Sequence, residues 1–586
     1  MVDHPMPPEE STTDGPARLT ERARAIARHW GPAVAVSLTT FIVVINASLM
    51  NVAIPTMVAE FDTTVTAIQG AVSLYSLVIA ALILPAGTLP SRHSSRRVMA
   101  VALVVYAAGT VVAAISWNTT VLYVGWSFVE GAAAAVLFPL TFTVLTASYE
   151  DDDRAKAFGL LAGVHGAGST LGPIVGGVLT TYASWRWGFA LQLVGVATSL
   201  VFVRYVSPKQ LSEARGSLDT GGAALSVVGS TALVTGFLLG GKYGWVVERR
   251  PFSVGGVQFN PLGTSPAVWL LGAGLLAFAA FVQYERRLER AGRTPLVPLR
   301  VLTNRPFLAG VVTYNVRSIV SAGFGFVFPV YLQAVLGYTA FETGLALLPY
   351  SVASILFATF TTDWRAHVSP RTLIQVGIVC MGLGLGLLYA QTGPDQTISR
   401  MVLPVALYGA GVGLVVAQIG NMTMSAVPTA DSPEASGVLN VSSSIGFSLG
   451  TAVVGSYFLG RFYGSVVDGV LRAEDATVSA DRRTDLVIAL EDAAETATEA
   501  TQQQFLRGLA PAQRRLLEGV FEAAMFDAQR ATLLVLVLVV VLLFVVSTFL
   551  PRRIPDGDDR PDGPDSSRES AGESGREGAG DASSEP

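Results

Sequence analysis

Charge is scarce in this chain. Only 14% of its 586 residues are Asp, Glu, Lys or Arg, against roughly 25% in a typical soluble domain. That shortage argues against a soluble enzyme of two or three domains. Cysteine is nearly missing: Cys380 stands alone, so no internal disulfide can form. Lysine is rare as well, with Lys156, Lys209 and Lys242 the only lysines among 39 basic residues. There is no basic block and the formal net charge is −5, so no nucleic-acid partner is expected. A G-x-x-x-x-G-K-[ST] loop is absent, which argues against an ATP-driven pump. No Cys/His cluster has metal-ligand spacing, and no Ser/His/Asp set stands in a hydrolase motif. The expectation is therefore no enzyme, no metal and no cofactor.

What the chain has in excess is apolar length. Hydrophobic residues make up 51% of it, and the mean hydropathy is +0.50. A bilayer-crossing helix needs about 20 mostly apolar residues. Stretches free of Asp, Glu, Lys and Arg recur from 29–59 to 531–551. The stretch over 98–149 is too long for one crossing, and Ser116-Trp117-Asn118-Thr119-Thr120 supplies a turn inside it. The count is fourteen spans in an all-α polytopic membrane protein. The first 30 residues are polar, with no cleavable signal evident.

Loop charge gives an orientation. With a cytoplasmic N-terminus, twenty-two Lys and Arg fall in inside connections, and only Arg186, Lys242, Arg249, Arg250 and Arg400 in short outside loops. This bias predicts a plasma-membrane protein with both termini cytoplasmic. The expected organisation is a tail over 1–30, a six-helix bundle over 31–206 and two extra spans over 216–290. A second six-helix bundle follows over 303–460 and 531–550. Between its parts, 461–530 forms a long outside loop. In it Leu517, Val520, Phe521, Ala524, Met525 and Ala528 have helical spacing, which predicts an amphipathic helix on the membrane or on the protein. The acidic segment 551–586 cannot bury a core and is expected to be disordered.

Local strings then become specific. Gly168-Ser169-Thr170-Leu171-Gly172-Pro173-Ile174-Val175-Gly176-Gly177 brings helices close through its glycines and interrupts a helix at Pro173. It resembles the antiporter signature of the major facilitator superfamily. Ser184-Trp185-Arg186-Trp187, Asp219 with Gly222, Glu285-Arg286-Arg287, Pro329-Val330-Tyr331-Leu332-Gln333 and Gly409-x-Gly411-x-Gly413 resemble motifs of its fourteen-span drug:proton antiporter family. The resemblance covers about residues 33–460 and 531–550. It implies two six-helix bundles around a midplane cavity, with two extra central spans. It also implies alternating-access export of an amphipathic or hydrophobic small molecule against protons, by a chain functional as a monomer among membrane lipids.

This sequence departs from that pattern where coupling is concerned. The acid usual in the first span is Asn46, ahead of Asn51 and Pro55. The aspartate usual after the second span is Ser91, although Arg92, Arg96 and Arg97 remain. In the fourth span the usual arginine is absent and Glu130 precedes Gly131. Ionisable groups inside a membrane cost roughly 2.5–3.5 kcal/mol and point to function. Glu130 and Arg317 both fall about 14–15 Å deep at ~1.5 Å per residue. They are expected to face the cavity, either as an ion pair or as separate substrate-binding charges, with Glu130 the candidate protonatable site. The alternative is a pair that only fixes packing.

The remaining candidates are weaker. His165 is a proton relay or a packing residue. Asn46, Asn51, Asn315, Gln333 and Gln418 line the cavity or bond neighbouring helices. Gly168, Gly172, Pro173, Gly176 and Gly177 form the conformational motif. Arg92, Arg96, Arg97, Asp363 and Arg365 form a cytoplasmic gate. The alternative functions are a non-transporting sensor or scaffold, and an uncoupled or sodium-coupled carrier.

Overall fold

The computed structural model describes residues 16–63, 65–207, 219–254, 257–258, 261–364, 368–393, 396–474, 478–496 and 507–552. Among them are fourteen helices of 18 residues or more. In chain order they are α1 (Pro16–Glu60), α2 (Val65–Gly87), α3 (Ser95–Ala114), α4 (Thr119–Ser148), α5 (Asp151–Tyr182), α6 (Arg186–Val203) and α7 (Thr220–Tyr243). Then follow α8 (Pro266–Arg290), α9 (Arg305–Ala334), α10 (Ala340–Trp364), α11 (Pro370–Gln391), α12 (Ile398–Ser425), α13 (Ser432–Ala473) and α14 (Pro511–Ser547). Thirteen are long and apolar enough to cross a membrane. The other, α5, is diluted by acids in its first turn and by glycines, yet packs between α1, α10 and α12. Extended structure among the described residues is one two-residue antiparallel pair, Ser253–Val254 with Val257–Gln258, and an isolated antiparallel bridge between Val247 and Thr264, all in the α7–α8 loop.

The helix ends follow capping rules. Ser94, Asn118, Asp219, Ser265, Asn304 and Ser369 each accept a backbone N–H with the side chain at a helix start, which satisfies donors that a helix start otherwise leaves free. Asn118 explains why the long 98–149 stretch divides: α3 ends at Ala114 and Asn118 starts α4.

Helices α1–α6 form one bundle and α9–α14 the other. They meet along α2 against α13 and α5 against α10, while α7 and α8 pair with each other and lean on α2 and α13. Glycines set the closest approaches. A β-carbon on Gly159 would stand 2.8 Å from the Ala358 carbonyl oxygen, and one on Gly87 would stand 2.9 Å from Gly437 Cα. Gly409 and Gly413 put the backbone of α12 directly on Tyr350 and Ser354 of α10.

The bundles are sealed at the end where the chain enters and leaves. There the first bundle's apolar core continues into Phe307, Val311, Met424, Ala435 and Leu439 of the second. Thr143 and Ser436 hydroxyls lie 2.9 Å apart, and Arg154 Nη1 donates to Ser425 Oγ at 3.1 Å. At the opposite end Trp185 Nε1 and Arg186 donate to Glu60, and Arg186 Nη2 also reaches the Ser116 carbonyl at 2.7 Å. Against the upward push of burial, these donors hold the Glu60 carboxyl below its usual range.

The helix anticipated within 461–530 is the start of α14, and α13 runs on to Ala473. Phe462 and Val466 of α13 and Ala524, Met525 and Ala528 of α14 are buried in one core, so this part of the apolar stripe is covered by protein, while Leu517 and Val520 are half-buried and Phe521 is exposed. A 17-residue helix, Ala480–Thr496, braces this projection: Arg483 chelates Asp468 at 2.7 and 2.9 Å. Arg250, from the α7–α8 loop, pairs with Glu491 and Asp492 of the same helix.

The linker between α8 and α9 is held by carboxylates. Glu285 Oε2 accepts from Leu296 N at 2.8 Å and Glu289 Oε1 accepts from Leu299 N at 2.6 Å. Leu296, Val297 and Val301 are buried in the first bundle's core. Arg300 continues the tie to Asp431 at 2.6 Å. Glu285→Ala leaves buried amides without acceptors, at a cost of about 1–3 kcal/mol. We expect a lower thermal midpoint and new tryptic cleavage at Arg290 and Arg293; an unchanged digestion pattern would refute the clamp.

Candidate functional site

Glu130 closes a segment of α4, Tyr123–Glu130, that is wound as a π-helix. Such segments mark sites where a helix re-aims a side chain. Glycine makes the local geometry affordable to the neighbours: a β-carbon on Gly109 would stand 2.7 Å from Glu130 N, and one on Gly125 2.7 Å from Ala113 N. Helices α3 and α4 thus touch backbone to backbone around the carboxylate.

The Glu130 side chain is fully buried inside the first bundle. Asn46 Nδ2 of α1 donates to its Oε1, and Thr110 Oγ1 of α3 lies 3.1 Å from its Oε2. The Asn46 amide belongs to a closed ring. Its Nδ2 donates to Tyr106 OH at 3.3 Å, Tyr106 OH to Gln192 Oε1 at 3.1 Å, and Gln192 Nε2 back to Asn46 Oδ1 at 3.1 Å. Among the described residues, no basic side chain pairs with Glu130. Sequence reasoning found Glu130 by its charge. It missed Tyr106, Thr110 and Gln192, whose polarity is ordinary and whose convergence is tertiary.

Arg317 forms a separate cluster in the second bundle. Residues 314, 317, 318 and 321 share one face of α9 by their spacing. Arg317 Nη1 donates to Ser321 Oγ and Nη2 to Ser318 Oγ, both at 3.2 Å, and its guanidinium carbon lies 4.6 Å from the Tyr314 ring centroid. Its Nε is buried without a partner. Tyr350 and Tyr408 stand within its electrostatic reach. Their rings are 5.9 Å apart, with Phe324 4.2 Å from Tyr408.

The expected Glu130–Arg317 ion pair is not formed. Each charge is engaged by polar neighbours of its own bundle, and Glu130 is buried there and does not face the interface. Asn46, expected either in the cavity or bonded to neighbouring helices, is buried against Glu130. Asn315 donates to the Ser442 carbonyl where α9 and α13 touch at Gly446, a packing contact in place of the cavity position expected. His165 is solvent-accessible at mid-helix in α5, within electrostatic reach of Arg317, so it faces the space between the bundles. Gln418 is buried with both amide atoms unpartnered, and Gln333 is exposed near the end of α9.

Within the glycine motif, Gly168 packs on Phe41 and Val44, and Gly176 on Leu49, all in α1. Gly159 and Gly163, slightly earlier in α5, face α10. Gly172 is buried and Gly177 half-buried. Arg92 is half-buried, while Arg96 and Arg97 are exposed at the α2–α3 turn. Arg365, and the side chains of Asn51, Pro173 and Asp363, lie outside the described residues.

Comparison with known proteins agrees with this architecture. The family model of the Major Facilitator Superfamily matches residues 36–451. The probable actinorhodin transporter of Streptomyces coelicolor is 26% identical over 552 residues, covering 90% of this chain and 92% of that protein. The cephamycin export protein CmcT of Amycolatopsis lactamdurans is 28% identical, covering 71% and 82%. The multidrug efflux pump LfrA of Mycolicibacterium smegmatis is 26% identical, covering 76% and 84%. With twelve long helices in two bundles, two more paired beside them and a family match over most of its length, the chain belongs to the major facilitator superfamily and is a multi-pass membrane transporter.

Proposed function

We propose that this protein exports an amphipathic small molecule across the plasma membrane by alternating access, in exchange for protons, with both termini cytoplasmic. The observation that carries the reading is the Glu130 carboxyl, buried among hydroxyls and amides with no cation beside it. Isolated buried charge is expensive. A carboxyl here can take a proton from water on one side and give it up on the other as the bundles rock.

The donor count supports the same role. Thr110 has one hydroxyl proton, yet its oxygen lies 2.9 Å from the Tyr106 carbonyl and 3.1 Å from Glu130 Oε2. With a proton on Glu130, the carboxyl donates to Thr110 and Thr110 donates to the carbonyl, so both contacts are satisfied. Asn46 occupies the position of the family's usual acid, and its amide touches Glu130. The proton site is thus carried by α4 in place of α1. The named export functions of the relatives support an exported small molecule.

The test uses purified protein in liposomes with a pH-sensitive dye inside and an imposed pH gradient. Addition of amphipathic aromatic probes is expected to move protons and probe in opposite directions. Probe movement without proton flux would replace antiport by an uncoupled or sodium-coupled carrier. Movement of neither would sink the export reading.

A further inference from the structure

Arg317, buried in the second bundle within electrostatic reach of His165 of the first, carries a positive charge that no described carboxylate balances. Among the described residues, no carboxylate pairs with Arg317, whose hydrogen-bond partners are two neutral serine hydroxyls. Tyr314 covers one face of the guanidinium, and Nε is buried and unpartnered. A guanidinium offers five N–H donors in a planar fork suited to a carboxylate. Here the fork is held in place by Ser318, Ser321 and Tyr314, with donor capacity left over.

An aromatic cluster lies within its electrostatic reach: Phe324, Tyr350 and Tyr408 pack together from α9, α10 and α12, with Phe324 and Tyr408 buried and Tyr350 half-buried. His165 looks across from α5 of the opposite bundle. Glu130, the buried acid of the first bundle among the described residues, is engaged elsewhere and does not neutralise this charge.

Resting on the reading of this protein as an exporter of amphipathic molecules, we propose that the substrate binds beside Arg317 and that the transporter selects aromatic amphiphiles carrying a carboxylate. The carboxylate takes the remaining donors of the Arg317 guanidinium and the ring system lies against Tyr350. An unpaired intramembrane cation is costly to keep, and an anionic substrate removes that cost only while bound. A cationic amphiphile would meet like charge at the same place.

The test is binding to the purified full chain in nanodiscs, followed by intrinsic fluorescence, with 2-naphthoate, 2-naphthamide and 2-naphthylmethylammonium as matched probes. Naphthoate is expected to bind about tenfold tighter than the amide, the scale of one added charge-assisted contact, and the ammonium weakest. Arg317→Gln should bring naphthoate to the amide's affinity while leaving the amide unchanged, and Arg317→Lys should retain part of the preference. Tyr350→Ala should weaken all three by a similar factor.

Equal binding of the three probes, still lowered by Tyr350→Ala, would overturn the anionic preference and leave the binding site standing. Probes indifferent to both Tyr350→Ala and Arg317→Gln would overturn the binding site, and the proposal with it. An Arg317→Gln variant that loses all three probes together would make Arg317 a structural residue and refute its selective role.

Discussion

In Glu130→Gln, substrate-driven proton flux is expected to collapse while the protein still folds. Glutamine is nearly isosteric and keeps an oxygen to accept from Asn46, so the ring of Asn46, Tyr106 and Gln192 can persist. What it cannot do is bind and release a proton. Removing a positioned proton-transfer group typically costs roughly 100-fold or more in the step it serves. Coupled efflux against an imposed gradient should therefore fall to near background. Downhill movement of substrate should continue, because the bundle interface is untouched. Folding can be checked separately by thermal midpoint and monodispersity. Unchanged proton-driven efflux in this variant would mean that another group carries the proton.

A second large effect is expected at Gly109. Its missing side chain is what allows α3 to lie on the backbone of α4 beside Glu130. An alanine there would meet Glu130 N and Gly125 O at 2.7 Å, both backbone atoms that cannot swing aside. Overpacking of this kind costs about 1–3 kcal/mol, and relief requires the two helices to separate at the π-helical segment. Gly109→Ala should lower the thermal midpoint and also lower coupled efflux, since Thr110 and Tyr106 move with α3. Gly272→Ala, where a β-carbon meets nothing within 4 Å, is the control and should do neither. Equal behaviour of the two variants would show that the α3–α4 contact is not what positions Glu130.

Much of this architecture was legible in the chain. Apolar length predicts fourteen spans, because a bilayer imposes it on the sequence, and fourteen long helices are present, thirteen of them apolar enough to cross a membrane. The two intramembrane charges were legible for the same reason: in an apolar solvent each ionisable group stands out. What the charges touch was not legible. Depth along a helix placed Glu130 and Arg317 at the same level, but helix rotation decides which neighbours they meet, and near-uniform hydrophobicity hides rotation. The π-helical turn before Glu130 adds to this, since nothing in Tyr-Val-Gly-Trp-Ser-Phe-Val-Glu announces an extra residue per turn. Thr110 and Gln192 lie 20 residues before and 62 after Glu130 in the chain and carry no signal of their own.

The outer projection was read as a helix lying on the membrane or on the protein and leading into the last span. The stripe through Val520, Ala524 and Ala528 was visible, but an amphipathic stripe can be met by lipid or by another helix. The length of α13, 42 residues, supplies that helix well beyond one crossing. Its continuation through Phe462, Val466 and Val467 was the available clue. The Gly409-x-Gly411-x-Gly413 string, by contrast, was read as a motif and finds a direct physical role in bringing α12 against α10 and α11.

The central claim is that one carboxyl in α4 links substrate and proton. Linkage of this kind is reciprocal: if a proton on Glu130 weakens substrate binding, substrate binding must release that proton. The direct measurement is proton release on adding a transported probe to purified protein in weakly buffered solution near neutral pH. The account predicts release of about one proton per bound probe in the wild type and none in Glu130→Gln, with the probe still bound. Equal release by the two proteins would contradict it.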